Sequence, residues 1–161
     1  DGGKNLAALL SEAAESIGYC TVCRNLTEKD LCYVCSDKAR DVDQVCVVET
    51  PADIIAIESS TNYKGRYYVL MGRLSPLDGI GPKEIGLDLL EEQFKKGTIK
   101  EVILATNSTT EGEVTAHVIR ELTKKHKIQT TRLAQGVPVG GELEYVDSNT
   151  LSQAFSNRRS Y

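Results

Sequence analysis

Four cysteines constrain this chain more than anything else in it. Cys20, Cys23, Cys32 and Cys35 follow the spacing C-x2-C-x8-C-x2-C. Each C-x2-C pair lets two thiolates converge on one cation from a tight turn, and two such turns complete a tetrahedron. The residues between the pairs, Arg24 to Leu31, are mostly polar and too few to own a core, so a metal has to hold them. Soft thiolates select zinc, and four filled positions leave none for water. One structural Zn2+ per chain is therefore expected, with two disulfides or a redox pair as the alternatives. An odd total of five cysteines suits a disulfide-stapled secreted protein poorly. The fifth, Cys46, lies in the apolar run Val45-Cys46-Val47-Val48 and reads as a small core residue.

Around this ribbon the pattern alternates. Ahead of it, Leu6, Leu9, Leu10, Ala13 and Ile17 recur at helical spacing over Lys4 to Ile17. After it, Gln44–Glu49 reads as a strand buried on both faces, Pro51–Ser60 as a helix opened by proline, and Arg66–Met71 as a second strand. A Gly/Pro-rich loop, Leu74–Pro82, leads to a helix over Lys83–Lys96 closed by Gly97. Glu101–Thr106 is a third strand, Glu111–Lys125 a helix and Ile128–Leu133 a fourth strand. Strands separated by helices imply crossover connections and a mostly parallel α/β sheet. At the end, Glu142–Tyr145 alternates as a short strand, and Asp147 or Ser148 caps a last helix carrying Leu151, Ala154 and Phe155.

Charge narrows the functional classes. Across 161 residues, 19 Lys+Arg stand against 23 Asp+Glu, a net charge of −4, so a simple polycation is excluded. Contact with nucleic acid then needs a local patch, for which Arg66, Arg73 and Lys83 are candidates along one rim of the sheet. This counts against a zinc-ribbon DNA-binding module as the whole function. No apolar run is long enough for a membrane span, and no membrane association is expected.

Ligands of a parallel sheet sit at the carboxyl ends of its strands. Strand one ends in Glu49 with Asp53 a turn later, and strand three runs into Asn107-Ser108-Thr109-Thr110-Glu111-Gly112-Glu113. Glu49, Glu111 and Glu113 can face one crevice. Two readings follow: a magnesium site for phosphoryl transfer, or helix-end carboxylates complementing a macrodipole. The glycines of Gly79-Ile80-Gly81-Pro82-Lys83 also resemble a helix-hairpin-helix turn, although Ser75-Pro76 breaks any preceding helix.

Val48-Glu49 followed by Asn107, Thr109, Glu111 and Glu113 resembles the Toprim fold of primases, topoisomerases and recombination mediators. Catalytic Toprim domains pair the strand-end Glu with an Asp-x-Asp that holds magnesium; here those positions are Asn107 and Thr109. A degenerate, non-catalytic site is expected. A magnesium-dependent Toprim nuclease or phosphotransferase is the alternative. The two C-x2-C pairs, Cys46–Glu49, Leu74–Pro82, Ala105–Asn107 and Gly136–Gly141 with Leu143–Tyr145 occur in the order of the bacterial RecR recombination-mediator family, and the resemblance covers the whole chain. It implies a DNA-repair mediator that forms a ring or clamp, a dimer or tetramer, and acts in the bacterial cytoplasm at the nucleoid. With RecO, and with RecF as a second partner, it would load RecA onto single-stranded DNA. In that family a helix-hairpin-helix domain precedes the zinc unit and is not in this sequence, so DNA binding is expected to be weak. The expected layout is a linker helix over 1–18, a zinc finger over 19–38, a Toprim domain over 43–138 and a C-terminal strand–helix extension over 139–161. The acidic crevice, with Glu49, Asp53, Glu111 and Glu113, becomes a docking surface for a partner.

Overall fold

The computed structural model describes residues 1–160. Two compact units divide the chain, Asp1–Thr131 and the remainder from Arg132. The first unit opens with α1, Gly2–Ser16, whose leucines Leu6, Leu9 and Leu10 are all exposed; the helix buries none of its residues. A small antiparallel ribbon of β1, Gly18–Tyr19, and β2, Leu26–Thr27, and a short helix α2, Tyr33–Ser36, make up the cysteine segment.

The sheet comprises β3 (Asp41–Val48), β4 (Gly65–Val69), β5 (Glu101–Ala105) and β6 (Gln129–Arg132) in the order β4-β3-β5-β6. β3 pairs in parallel with both β4 and β5, as its position at the centre and its unbroken apolar run require. Helices α3 (Pro51–Ser60), α4 (Leu87–Lys95) and α5 (Thr110–Lys125) are the connections. Alternation along the strands sorts the core into two layers. Val45, Val47, Tyr68 and Leu70 face Leu87, Leu90 and Phe94 of α4 and Ala116 and Ile119 of α5. Cys46, Val48, Tyr67 and Val69 face Ile54 of α3 and the four ribbon cysteines with Val34. The ribbon, coreless by itself, borrows the second layer. It also covers the open side of β4, because the Val69 amide donates to the Cys23 carbonyl at 2.8 Å.

Two sequence expectations shift, and one doubt is resolved. The helix expected from Lys83 begins only at Leu87, because Gly86 takes a left-handed φ of 72° and ends a run of turns before it. The expected strand at 142–145 is a 3-10 turn, Leu143–Tyr145, followed by the expected helix, α6 (Ser148–Ser156), capped by Asp147. A lone alternating segment has no neighbouring strand there to satisfy its backbone, and a tight turn satisfies it locally. Ser75 and Ile80 exchange backbone hydrogen bonds, which makes the glycine loop a tight turn with no helix before it. The helix-hairpin-helix reading does not hold. No helix among the described residues is long and apolar enough to cross a membrane.

Candidate functional site

The ribbon brings the sulfur atoms of Cys20, Cys23, Cys32 and Cys35 within 4.8 Å of one another, all of them buried. Cys23 Sγ and Cys32 Sγ lie 3.5 Å apart, far beyond a disulfide and close to the edge of about 3.8 Å that a zinc–sulfur distance of ~2.3 Å sets in a tetrahedron. None of the five cysteines is in a disulfide among the described residues. Mutual hydrogen bonding splits their acidity. The bond to Cys35 and burial push the Cys23 thiol up, whereas the bond from Cys23 draws the Cys35 thiol down to about 6. Four sulfur atoms gathered this closely are chemically matched to a thiophilic dication, which replaces the thiol protons. Cys46 is different: burial, ahead of the nearby Asp53 charge, raises it to about 12, as suits an inert core thiol.

The ribbon is fastened to the sheet by a residue the sequence did not single out. Arg24 takes a left-handed φ of 63° and donates from Nη1 to the carbonyls of Leu70, at 3.2 Å, and Ile85. Its guanidinium stands 6.0 Å from the ring centre of Tyr68. Gln93 of α4 donates to the Val22 carbonyl. No local pattern reveals such a clamp, since the Arg24 acceptors, the carbonyls of Leu70, Glu84 and Ile85, are backbone atoms 46, 60 and 61 residues further along the chain.

At the carboxyl ends of β3 and β5, Glu49 meets the loop that runs from Asn107 into α5. Glu49 is buried, at 3% exposure. Its Oε1 accepts from the Asn107 backbone amide at 2.8 Å and its Oε2 from Asn107 Nδ2 at 2.9 Å. Thr109 caps α5 by accepting from the Gly112 amide at 3.1 Å. Gly112 is required where it stands, for a Cβ there would lie 2.0 Å from the Asn107 carbonyl and 3.1 Å from Glu49 Oε1. Asp53 closes a capping box at α3, accepting from the Thr50 amide at 2.8 Å and from its hydroxyl at 3.0 Å. Glu111 and Glu113 occupy the first turn of α5, with Glu113 exposed and Glu111 half-buried. Of the four acids read as a docking surface, Glu49 is thus committed to the interior, because its strand-end position is roofed by the Asn107 loop. The others remain at the surface.

The three basic candidates do not share a rim. Arg66 is the second residue of β4, while Arg73 follows the opposite end of that strand and Lys83 lies in the turns before α4. Tyr67 and Tyr68 are buried, as a strand reading expects, with their hydroxyls on Glu58 Oε1 and the Gly86 carbonyl, each at 2.6 Å.

Comparison with known proteins agrees with this architecture. Residues 43–134 match the family model for the Toprim domain, 17–37 that for the RecR four-cysteine zinc finger domain, and 136–159 that for the RecR C-terminal region. The chain is 54% identical over 158 residues to the protein named "Recombination protein RecR" of Xanthomonas axonopodis pv. citri, covering 98% of this chain and 80% of that one. The proteins of the same name from Hydrogenovibrio crunogenus and Saccharophagus degradans are 55% and 54% identical, with 80% and 81% of their lengths covered by 98% and 99% of this chain.

Proposed function

Since this chain belongs to the RecR family of recombination proteins, we propose that it is a non-catalytic mediator of DNA repair. It works with RecO, and with RecF as a second partner, to load RecA onto single-stranded DNA. One observation carries the non-catalytic reading: both oxygens of Glu49 are taken by Asn107. A hard dication needs clustered anionic oxygens, and at this crevice the neutral Asn107 faces the Glu while Thr109 turns its oxygen to a helix end. The crevice then serves a basic partner surface, through Asp53, Glu111 and Glu113, with Glu49 holding the Asn107 loop in shape.

Cys20, Cys23, Cys32 and Cys35 would hold one zinc ion per chain, supplying a closed structural crosslink between the two C-x2-C halves of the ribbon. The division into 1–18, 19–38, 43–138 and 139–161 is the functional partition we adopt, with assembly into a dimer or ring in the bacterial cytoplasm. The test is reconstitution. With RecO present, the chain should speed RecA assembly on single strands coated by single-strand-binding protein, and should leave plasmid DNA intact in magnesium. No acceleration would overturn the mediator reading, and magnesium-dependent nicking abolished by Glu49→Gln would overturn the non-catalytic one.

A further inference from the structure

A second concavity lies on the outer side of β4, away from the strand-end crevice. It is a cleft of about 320 Å3 where Thr21 and Val22 of the cysteine ribbon, the starts of β3 and β4 and one side of α4 meet. Its floor is apolar, from Val45, Tyr67, Tyr68 and Ile99, all buried. Into this setting β4 places Arg66, whose Nε is buried and has no hydrogen-bond partner among the described residues. Several of the polar side chains nearby are otherwise engaged. Glu92 pairs with Lys95, Arg24 donates to backbone carbonyls, and Gln93 donates to Val22. A buried N–H of a charged group is costly to leave unpaired, so it calls for an acceptor, from a bound group or an ordered water. The lining carries Arg24, Arg66 and Lys96 against Glu92 alone, a local excess of positive charge in a chain of net charge −4.

We propose that this cleft is a docking site for an acidic peptide segment of a partner protein. Arg66 takes a carboxylate, Lys96 stands at the mouth, and an apolar side chain next to the carboxylate lies over Leu89 and Val42, which are 53% and 42% exposed. A guanidinium fork suits a carboxylate in geometry as well as charge. Nucleic acid fits less well. A strand is held by a row of cations along its phosphates and by aromatic faces open to its bases, whereas both tyrosines here lie buried in the floor. The volume stands at the lower end of the range of about 300–1,000 Å3 for small-ligand pockets. A single deep donor cannot orient a free small molecule, but it can anchor a side chain whose backbone continues outside.

The probe is a short fluorescein-labelled peptide alternating aspartate and leucine, with an asparagine–leucine counterpart and a labelled oligothymidine beside it. Titrated with the whole chain, the aspartate peptide should bind, its counterpart should not, and added salt should weaken the binding. Arg66→Gln should reduce affinity on the order of tenfold or more, with zinc content and melting temperature unchanged. Should Arg66→Gln lose zinc or fail to fold, Lys96→Glu at the C-terminal cap of α4 and Leu89→Asp on its exposed side carry the test and should also weaken binding. No binding of the aspartate peptide, equal binding of both peptides, or undiminished affinity in the two α4 variants would overturn the proposal. Oligothymidine binding lost in those variants, in place of peptide binding, would overturn it in favour of nucleic acid.

Discussion

Asn107 does at Glu49 what a cation does at an acidic strand end: it gives a buried carboxylate two partners and lets it stay inside. The amide can do this because one of its bonds comes from the backbone and the other from a neutral donor, so no second negative charge enters the site. That makes Asn107→Asp a sharp test. The new carboxylate cannot donate to Glu49 and repels it, so the melting temperature should fall without divalent ions. Magnesium should restore part of the loss, because two facing carboxylates are a ligand pair for a hard cation. Calorimetry with magnesium and with chelator reads this, and an equal melting temperature in both would contradict it. A second residue-scale test lies at Glu58, which Arg40 grips with both nitrogens and Tyr67 with its hydroxyl. Arg40 first, and Tyr67 after it, hold the Glu58 carboxyl below its ordinary range. A depressed folded value means the unfolded chain binds the proton more readily. The stabilisation is therefore full above the ordinary carboxylate pKa of about 4.3 and fades as pH falls through the lower folded value. Glu58→Gln should lower the melting temperature near neutral pH, by the equivalent of about 1.5–3 kcal/mol, and flatten the acid limb of the stability profile. An unchanged acid limb would show that this pair carries no pH dependence.

Among the elements, the ribbon and the sheet share a core layer, and this sets what zinc removal does. Cys20, Cys23, Cys32 and Cys35 pack with Cys46, Val48, Tyr67 and Val69, and Arg24 reaches through to Ile85. Stripping zinc should expose amides over 18–36 to hydrogen exchange, and with them the turns before α4 that Arg24 holds. The amides of β3, paired on both sides, should stay protected. Loss confined to the ribbon would mean the Arg24 clamp forms without metal. Loss throughout the sheet would mean the second layer cannot stand without it. The same layout explains what the sequence made legible. The buried strands and their connecting helices were readable, because Val45–Val48 and Val102–Leu104 are apolar runs rich in β-branched residues. The four cysteines were readable because a metal site writes its spacing into the chain. The start of α4 was not, since a left-handed Gly86 is a property of the packed turn against Arg24 and Tyr68. The burial of Glu49 was not either, for its partner comes from a loop 58 residues away. Nor does the apolar stripe of α1 find a place in this unit, a periodic face that the sequence shows and the fold leaves exposed.

For the molecule as a whole, charge decides which surfaces meet which partners. A net charge of −4 gives nucleic acid little general attraction, whereas Asp53, Glu111 and Glu113 are, on the function proposed, the acids that a basic partner meets. Glu49→Lys is a poor probe of that surface, because a buried lysine without its Asn107 partner would unfold the site it was meant to test. Glu111→Lys with Glu113→Lys reverses charge in the first turn of α5 instead. There it opposes the helix dipole at a modest cost of about 0.3–1 kcal/mol per residue and leaves Glu49 and Thr109 in place. Circular dichroism should therefore report an intact fold. Calorimetric titration with RecO should show affinity lowered on the order of tenfold or more, and the wild-type interaction should weaken as salt rises. The Arg66→Gln variant should bind RecO unchanged if the acidic crevice alone receives it, since Arg66 lies at the far end of β4. Full-strength RecO binding by the folded double variant would leave Glu111 and Glu113 with only the local task that helix ends give to acids. The docking surface would then have to be sought on the other side of the sheet.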